Sequence, residues 1–249
     1  MTILVTGASS GFGKAICQKF VQAGYQVIGA ARRLDKLALL EEELGTSFYP
    51  LEMDISDPNK IQTALSSLPS SWQDIELLVN NAGLALGLEP AHQANFADWQ
   101  TMINTNVTGL VYLTRQILPT MVERNKGHVI NMGSIAGTYA YPGGNVYGAT
   151  KAFVEQFSLN LRADLAGTAI RVTNVEPGLC GGTEFSNLRF KGDNAKAANV
   201  YQGVEYIQPE DIANTVLWIY QQPAHVNINR IEIMPVAQSF SALSIKRNS

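Results

Sequence analysis

Short β-branched apolar runs alternate with longer amphipathic segments from the first residues onward, and this alternation leaves the chain few folds to choose from. Ile3–Val5, Gln26–Ala30, Phe48–Met53, Leu77–Asn80, His128–Met132 and Ala169–Val175 read as strands, with Ile228–Ile233 as a seventh. None shows the strict alternation of a half-exposed strand, which is the pattern of parallel strands covered on both faces. Gly13–Gly24, Leu34–Leu44, Pro58–Leu68, Phe96–Arg124, Val146–Leu165 and Pro209–Gln221 read as helices between them. Strand–helix–strand repetition implies an α/β protein: a doubly wound parallel sheet of about seven strands with helices on both faces.

No linker, repeat or low-complexity segment divides the 249 residues, so a single domain over 1–249 is expected. Residues 179–208 are rich in Gly, Asn, Lys and Phe without a clean period. They follow Pro177-Gly178 at a strand end, where long irregular segments often form lids, although an ordinary surface excursion also fits. Hydrophobic residues make up 46% and charged residues 16%, enough apolar surface for a sizeable core and too little charge for disorder. A net charge of −3 offers no basic excess for a phosphate backbone, so nucleic acid is not the expected partner. No signal peptide precedes the first strand, and residues 129–150, though uncharged, are broken by Asn131, Ser134, Thr138 and Asn145. A soluble, cytoplasmic protein without a membrane span is expected. The two cysteines, Cys17 and Cys180, form no C-x-x-C pair, no metal-ligand cluster is visible, and the count suits a reducing compartment.

Gly7, Gly11 and Gly13 lie between the first strand and the first helix. Such a turn lets backbone approach a pyrophosphate and aims helix N–H groups at it, the device of Rossmann-type dinucleotide-binding folds. The spacing is not the usual G-x-G-x-x-G, and the cluster has weight chiefly because it opens a β-α-β unit. In such folds an acidic residue ending the second strand holds the adenosine ribose of NAD. Here Ala30-Ala-Arg-Arg33 stands there. Arg32 and Arg33 suit a 2′-phosphate, which a carboxylate would repel, so NADP is the expected cofactor. Asp54, ending the third strand, could accept from the adenine amino group, and Asn80-Asn-Ala-Gly83 could line the adenosine and ribose side.

Tyr147 and Lys151 are four apart and share a helix face. A neighbouring cation favours phenolate, and such a phenol can exchange a proton with a carbonyl or an alcohol. On spacing alone, a Tyr–Lys pair on an exposed face explains the segment equally well. Ser134 separates the two readings: it sits just past the fifth strand, where ligands bind in open α/β sheets, and its hydroxyl can bond a substrate oxygen. Asn106 is a polar residue within a buried helix and has a structural reading as well.

With Thr6-Gly7-x-x-x-Gly11-x-Gly13, Asn80-Asn-Ala-Gly83, Asn106, Ser134, Tyr147-x-x-x-Lys151 and Pro177-Gly178 in order, the chain resembles the short-chain dehydrogenase/reductase family over essentially its whole length. The resemblance implies Tyr147 as general acid/base and Lys151 as the group that lowers its pKa and bonds the nicotinamide ribose. It implies Ser134 as the group that polarises the carbonyl, and Asn106 as the holder of a relay water. The implied cofactor contacts are Gly7, Ser9, Ser10, Phe12, Gly13, Asp54, Ile55, Asn81, Ala82, Gly83, Tyr147, Lys151, Pro177, Gly178, Leu179 and Thr183, beside Arg32 and Arg33. After Gly178 the chain reads Leu-Cys-Gly-Gly-Thr183, one residue longer than the common family loop. Residues 80–92, 143–151, 176–185 and 223–229 are similar to the NADP-dependent 3-hydroxy acid dehydrogenases, which implies serine, allo-threonine or 3-hydroxypropionate-type substrates, with another small carbonyl compound, such as a diketone or a sugar-derived aldehyde, as the alternative. A non-catalytic NADP-binding sensor is the reading from another class. A homotetramer is implied too, with Phe96–Arg124 and Val146–Leu165 at its main interface. A substrate carboxylate needs a cationic or amide clamp; Arg189 in the 179–208 segment is the candidate, with Asn145 assisting.

Overall fold

The computed structural model describes residues 1–239, so the last ten positions of the expected 1–249 domain lie outside the described residues. Seven strands, β1 (Thr2–Thr6), β2 (Gln26–Ala31), β3 (Phe48–Glu52), β4 (Ile75–Asn80), β5 (Gly127–Met132), β6 (Ile170–Pro177) and β7 (Arg230–Ile233), form one parallel sheet. Its order is β3-β2-β1-β4-β5-β6-β7, reversing between β1 and β4. Successive β1 residues serve opposite layers. Ile3 and Val5 pack with Ile16, Phe20, Val216 and Ile219, which belong to α1 (Gly11–Gln22) and to the late helix Pro209–Tyr220. Leu4 packs with Leu113, Ile117 and Leu161 on the other side. Each β1 residue is buried, which is why the strand shows no hydropathy alternation.

The remaining helices are α2 (Leu34–Leu44), α3 (Pro58–Ser66), α4 (Phe96–Ile103), α5 (Leu110–Glu123), α6 (Asn145–Asp164), α7 (Phe185–Arg189), α8 (Asn194–Asn199) and α9 (Pro209–Tyr220). Local chemistry starts several of them. Asp57 caps α3 by accepting from the Asn59 and Lys60 amides, with Pro58 in the first turn where its missing N–H costs nothing. Asp211 reaches back to the Gln208 amide at 2.8 Å to open α9.

Two expectations need correction. The single helix expected over Phe96–Arg124 is interrupted by a π turn, Asn104–Gly109, between α4 and α5. Asn106 is drawn inward there to the backbone of Leu84, and Gly109 abuts the Ile55 carbonyl so closely that no side chain fits. The 179–208 segment is also less irregular than its composition suggested, because α7 and α8 lie within it.

Candidate active site

At the carboxyl ends of the strands a cavity of about 890 Å³ runs from β2 and β3, across the reversal point between β1 and β4, to α6. Thr6 ties the two central strands together at its floor. Its hydroxyl accepts from the Asn81 and Ala82 amides at 3.0 and 2.9 Å, while Asn81 Nδ2 donates to the Thr6 carbonyl at 2.8 Å. Gly7 turns the chain with φ +70°, and a Cβ there would lie 2.9 Å from Asn81 Nδ2. Ser10 precedes α1 without a side-chain cap, leaving the helix N–H groups facing the cavity mouth. Gly13 does not line the cavity; it lets α1 sit against Gly7 and Asn81, where a Cβ would come 2.7 Å from Asn81 Nδ2.

At one end, Arg33 donates to Ser9 Oγ from Nε (3.1 Å) and Nη2 (2.9 Å) and to Ser10 Oγ from Nη2 (3.0 Å). Arg32 is exposed at the cavity rim. Burial pushes the Asp54 carboxyl up, but the Ser56 hydroxyl and amide, with Arg32 and Lys60, outweigh it and hold it below the usual carboxylate value. Both Ser56 bonds go to Asp54 Oδ1, which leaves Oδ2 for a ligand. Phe12, Ile55, Ala82 and Gly83 line the middle, and Pro177, Gly178, Leu179 and Thr183 line the side where β6 ends. The Thr183 methyl covers Gly11, and its hydroxyl accepts from the Phe185 amide at 3.3 Å.

At the other end, Tyr147 and Lys151 project from α6 and are both buried. Lys151 Nζ donates to the Met132 carbonyl at 2.7 Å and stands 5.9 Å from the Tyr147 ring centre. Burial brings this lysine down to about 8. Tyr147 goes the other way. Burial pushes the phenol up to about 12, against the downward pull of the Ser134 hydroxyl and the Arg189 guanidinium. The expected depression of the phenol by Lys151 is therefore absent: the lysine turns its proton to the strand carbonyl, and desolvation of the phenolate dominates. Ser134 starts the short turn after β5 and accepts from the Ala136 amide at 3.1 Å. Asn106 does not line the cavity. Its amide is bonded to Leu84 N and O, both at 2.9 Å, and to Thr150 Oγ1 at 3.1 Å. Gly83 lies between it and Lys151; a Cβ there would be 3.3 Å from Asn106 Oδ1 and 3.5 Å from Lys151 Nζ.

Arg189 forms part of the roof. It donates to Tyr141 Oη at 2.8 Å and to the Gly87 carbonyl at 3.3 Å, and its guanidinium lies 5.6 Å from the Tyr147 ring centre. No carboxylate pairs with it among the described residues. Asn145 is not brought to the cavity: its Nδ2 donates to the Glu89 carbonyl at 3.1 Å and its Oδ1 accepts from Val146 N. It opens α6 rather than facing a ligand. Cys180 does line the cavity, and burial pushes its thiol up to about 12. Thr6, the first residue of the glycine-turn motif, also faces this space, as do Tyr141, Glu184 and Phe185, which the sequence does not single out. For Thr6 the signal was its place at the end of β1; for the others there was none, because their neighbours are remote in the chain.

A glycine turn at the reversal point of a parallel sheet, with a buried Tyr–Lys pair and a serine at the far end of the same groove, is the arrangement of the short-chain dehydrogenase family, and this chain belongs to it. The family's model, described as short chain dehydrogenase, matches residues 1–194. Among individual proteins, the chain is 65% identical over 246 residues to a Haemophilus influenzae protein named "Probable NADP-dependent dehydrogenase", covering 99% of this chain and 98% of that one. It is 58% identical over 247 residues to the NADP-dependent 3-hydroxy acid dehydrogenase of Escherichia coli K12, covering 99% and 100%. A solved closed form of serine dehydrogenase complexed with NADP+ superposes with a TM-score of 0.98 at 57% identity, covering all of both chains.

Proposed function

We propose that this chain is an NADP(H)-dependent oxidoreductase that interconverts a small 3-hydroxy acid and its 3-oxo acid or semialdehyde. The observation that carries the reading is one groove with a cationic, hydroxyl-rich end at Arg33, Ser9 and Ser10 and a buried phenol, serine and lysine at the other. The groove fits a dinucleotide phosphate: Gly7 leaves room for backbone approach, the α1 N-terminus is uncapped, and Arg32 and Arg33 stand where a carboxylate would select NAD. Asp54 Oδ2 and the Asn81–Gly83 segment serve the adenosine and ribose side. When bound, the cofactor supplies or accepts the hydride. Tyr147, whose phenol burial favours in its protonated form, gives its proton to the substrate oxygen in the reducing direction. Ser134 holds that oxygen by a hydrogen bond, and Lys151, brought by burial to about 8 on the same helix face, is suited to return the proton to the phenol. Arg189 faces the cavity from the roof with no carboxylate partner among the described residues, which supports a substrate carboxylate clamped there and hence an acidic substrate.

Residues 179–208 act as the lid, on a single domain. Their roof residues reach across the groove to Gly87, Tyr141 and Asp98. Phe96, Ile103, Phe153 and Leu159 are exposed on α4 and α6, which supports the homotetramer with those helices at its interface. No described helix is long and apolar enough to cross a membrane; we place the enzyme in the cytoplasm. The test is a panel of serine, allo-threonine, 3-hydroxypropionate, neutral alcohols, diketones and sugar-derived aldehydes with NADP(H) and NAD(H). The reading requires the hydroxy acids with NADP+ to give the highest kcat/KM. Preferred turnover of a neutral compound would move the substrate class elsewhere, and cofactor binding with no turnover would leave only a sensor.

A further inference from the structure

One ion-pair cluster joins the lid to the start of α2. Glu184, just before α7, accepts from Lys36 Nζ on one oxygen and from Arg33 Nη1 on the other, each at 2.8 Å. Its carboxyl is drawn down to about 2, first by Lys36 and then, against burial, by Arg33 and Ser10, so it is charged at any working pH. The three side chains are 38–41% exposed, so the cluster adds little to overall stability. What it fixes is direction. With Nη1 held by the lid, Arg33 presents its Nε and Nη2 donors to Ser9 and Ser10. Two parallel donors on one edge are what a guanidinium uses to grip a phosphate.

We propose that Glu184 is a positioning residue for reading the 2′-phosphate, holding the two-donor edge of Arg33 toward Ser9 and Ser10 and so coupling lid closure to cofactors that carry that phosphate. The proposal rests on the NADP reading above. A lone carboxylate at this spot would repel the phosphate, but Lys36 on its other oxygen cancels that charge at short range, and the exposed Arg32 keeps the end of the groove cationic. The orientation therefore outweighs the repulsion. Coupling of this kind is reciprocal: a phosphate that immobilises Arg33 also lowers the cost of ordering Glu184. Phe185, next in the chain, packs on Tyr147 with ring centres 5.7 Å apart. Cofactor identity read at one end of the groove thereby reaches the roof over the phenol at the other.

The experiment uses the full chain as wild type, Glu184→Gln, Glu184→Asp and Arg33→Ala. Adenosine 2′,5′-bisphosphate and 5′-AMP are titrated calorimetrically, and amide hydrogen exchange is followed over residues 185–199. Glu184→Gln should weaken the bisphosphate roughly three- to tenfold, the scale of a partly exposed charged contact. It should leave 5′-AMP unchanged, which also shows that the variant is folded, and Glu184→Asp should recover part of the loss. In wild type the bisphosphate, but not 5′-AMP, should slow exchange in the lid, and Glu184→Gln should abolish that difference. Bisphosphate binding as tight as wild type or tighter in Glu184→Gln, or equal loss for both nucleotides, overturns the proposal. If Arg33→Ala costs the bisphosphate nothing, the NADP reading fails first; if Arg33→Ala weakens it and Glu184→Gln does not, only the role of Glu184 falls.

Discussion

Replacing Lys151 by methionine should make the protein more stable while disabling it. Lysine ordinarily titrates at 10.5, and burial on α6 brings Lys151 to about 8. At about 1.4 kcal/mol per pH unit, keeping that proton in the folded chain costs about 3 kcal/mol. Methionine follows the same path without charge but gives up the hydrogen bond to the Met132 carbonyl, worth about 1–2 kcal/mol. The net gain is about 1–2 kcal/mol, a rise in Tm of about 2–8 °C for a chain of this length. The sign has a pH signature. Below pH 8 the lysine is protonated in folded and unfolded chains alike and the cost is complete. Between 8 and 10.5 the folded chain gives up the proton while the unfolded chain keeps it, so the cost shrinks; above 10.5 it is gone. Thermal unfolding of both proteins from pH 6 to 10.5, at one protein concentration, should show the variant's advantage fading across that window. A variant less stable than wild type at pH 7, or an advantage independent of pH, would refute the buried-charge account of Lys151.

Three other outcomes follow from the same geometry. Arg189→Ala should raise KM for a hydroxy acid at least about tenfold more than for a neutral alcohol, the worth of one charged hydrogen bond; equal effects on the two would remove the carboxylate clamp. Gly109→Ala drives a methyl into the Ile55 carbonyl and should cost about 1–3 kcal/mol in urea unfolding, with weaker NADPH binding because Ile55 lines the groove. Cys180, with its thiol pushed up to about 12, should be alkylated by iodoacetamide at pH 8 far more slowly than a free thiol despite facing the cavity; labelling at the ordinary rate would contradict that.

Much of this was legible in the residues. The doubly wound sheet follows from runs such as Ile3–Val5 and Val129–Ile130, which are apolar on both faces because helices cover both. Helix periodicity puts Tyr147 and Lys151 on one face, and Ser134, by its position after a strand, favours a site over an exposed pair. What escaped was whatever depends on residues distant in the chain. The π turn at Asn104–Gly109 leaves the apolar spacing of α4 and α5 nearly intact, so a pattern search runs through it; its causes are the Leu84 backbone and the Ile55 carbonyl. Asn145 stands two positions before Tyr147, but positions two apart on a helix differ by more than half a turn, so nearness in sequence does not bring it to the cavity. Glu184 finds Lys36 148 positions away, a pairing no local reading can reach. The direction of the Tyr147 shift was misjudged because sequence shows a neighbouring cation but not the burial that outweighs it.

The role given to the phenol is tested most directly by Tyr147→Phe, with NADPH affinity followed by fluorescence and reduction of a 3-oxo acid in the stopped flow. Cofactor affinity close to wild type, with turnover lower by roughly 10²–10⁴-fold, is the predicted result. Turnover within a few-fold of wild type would mean that the proton comes from elsewhere.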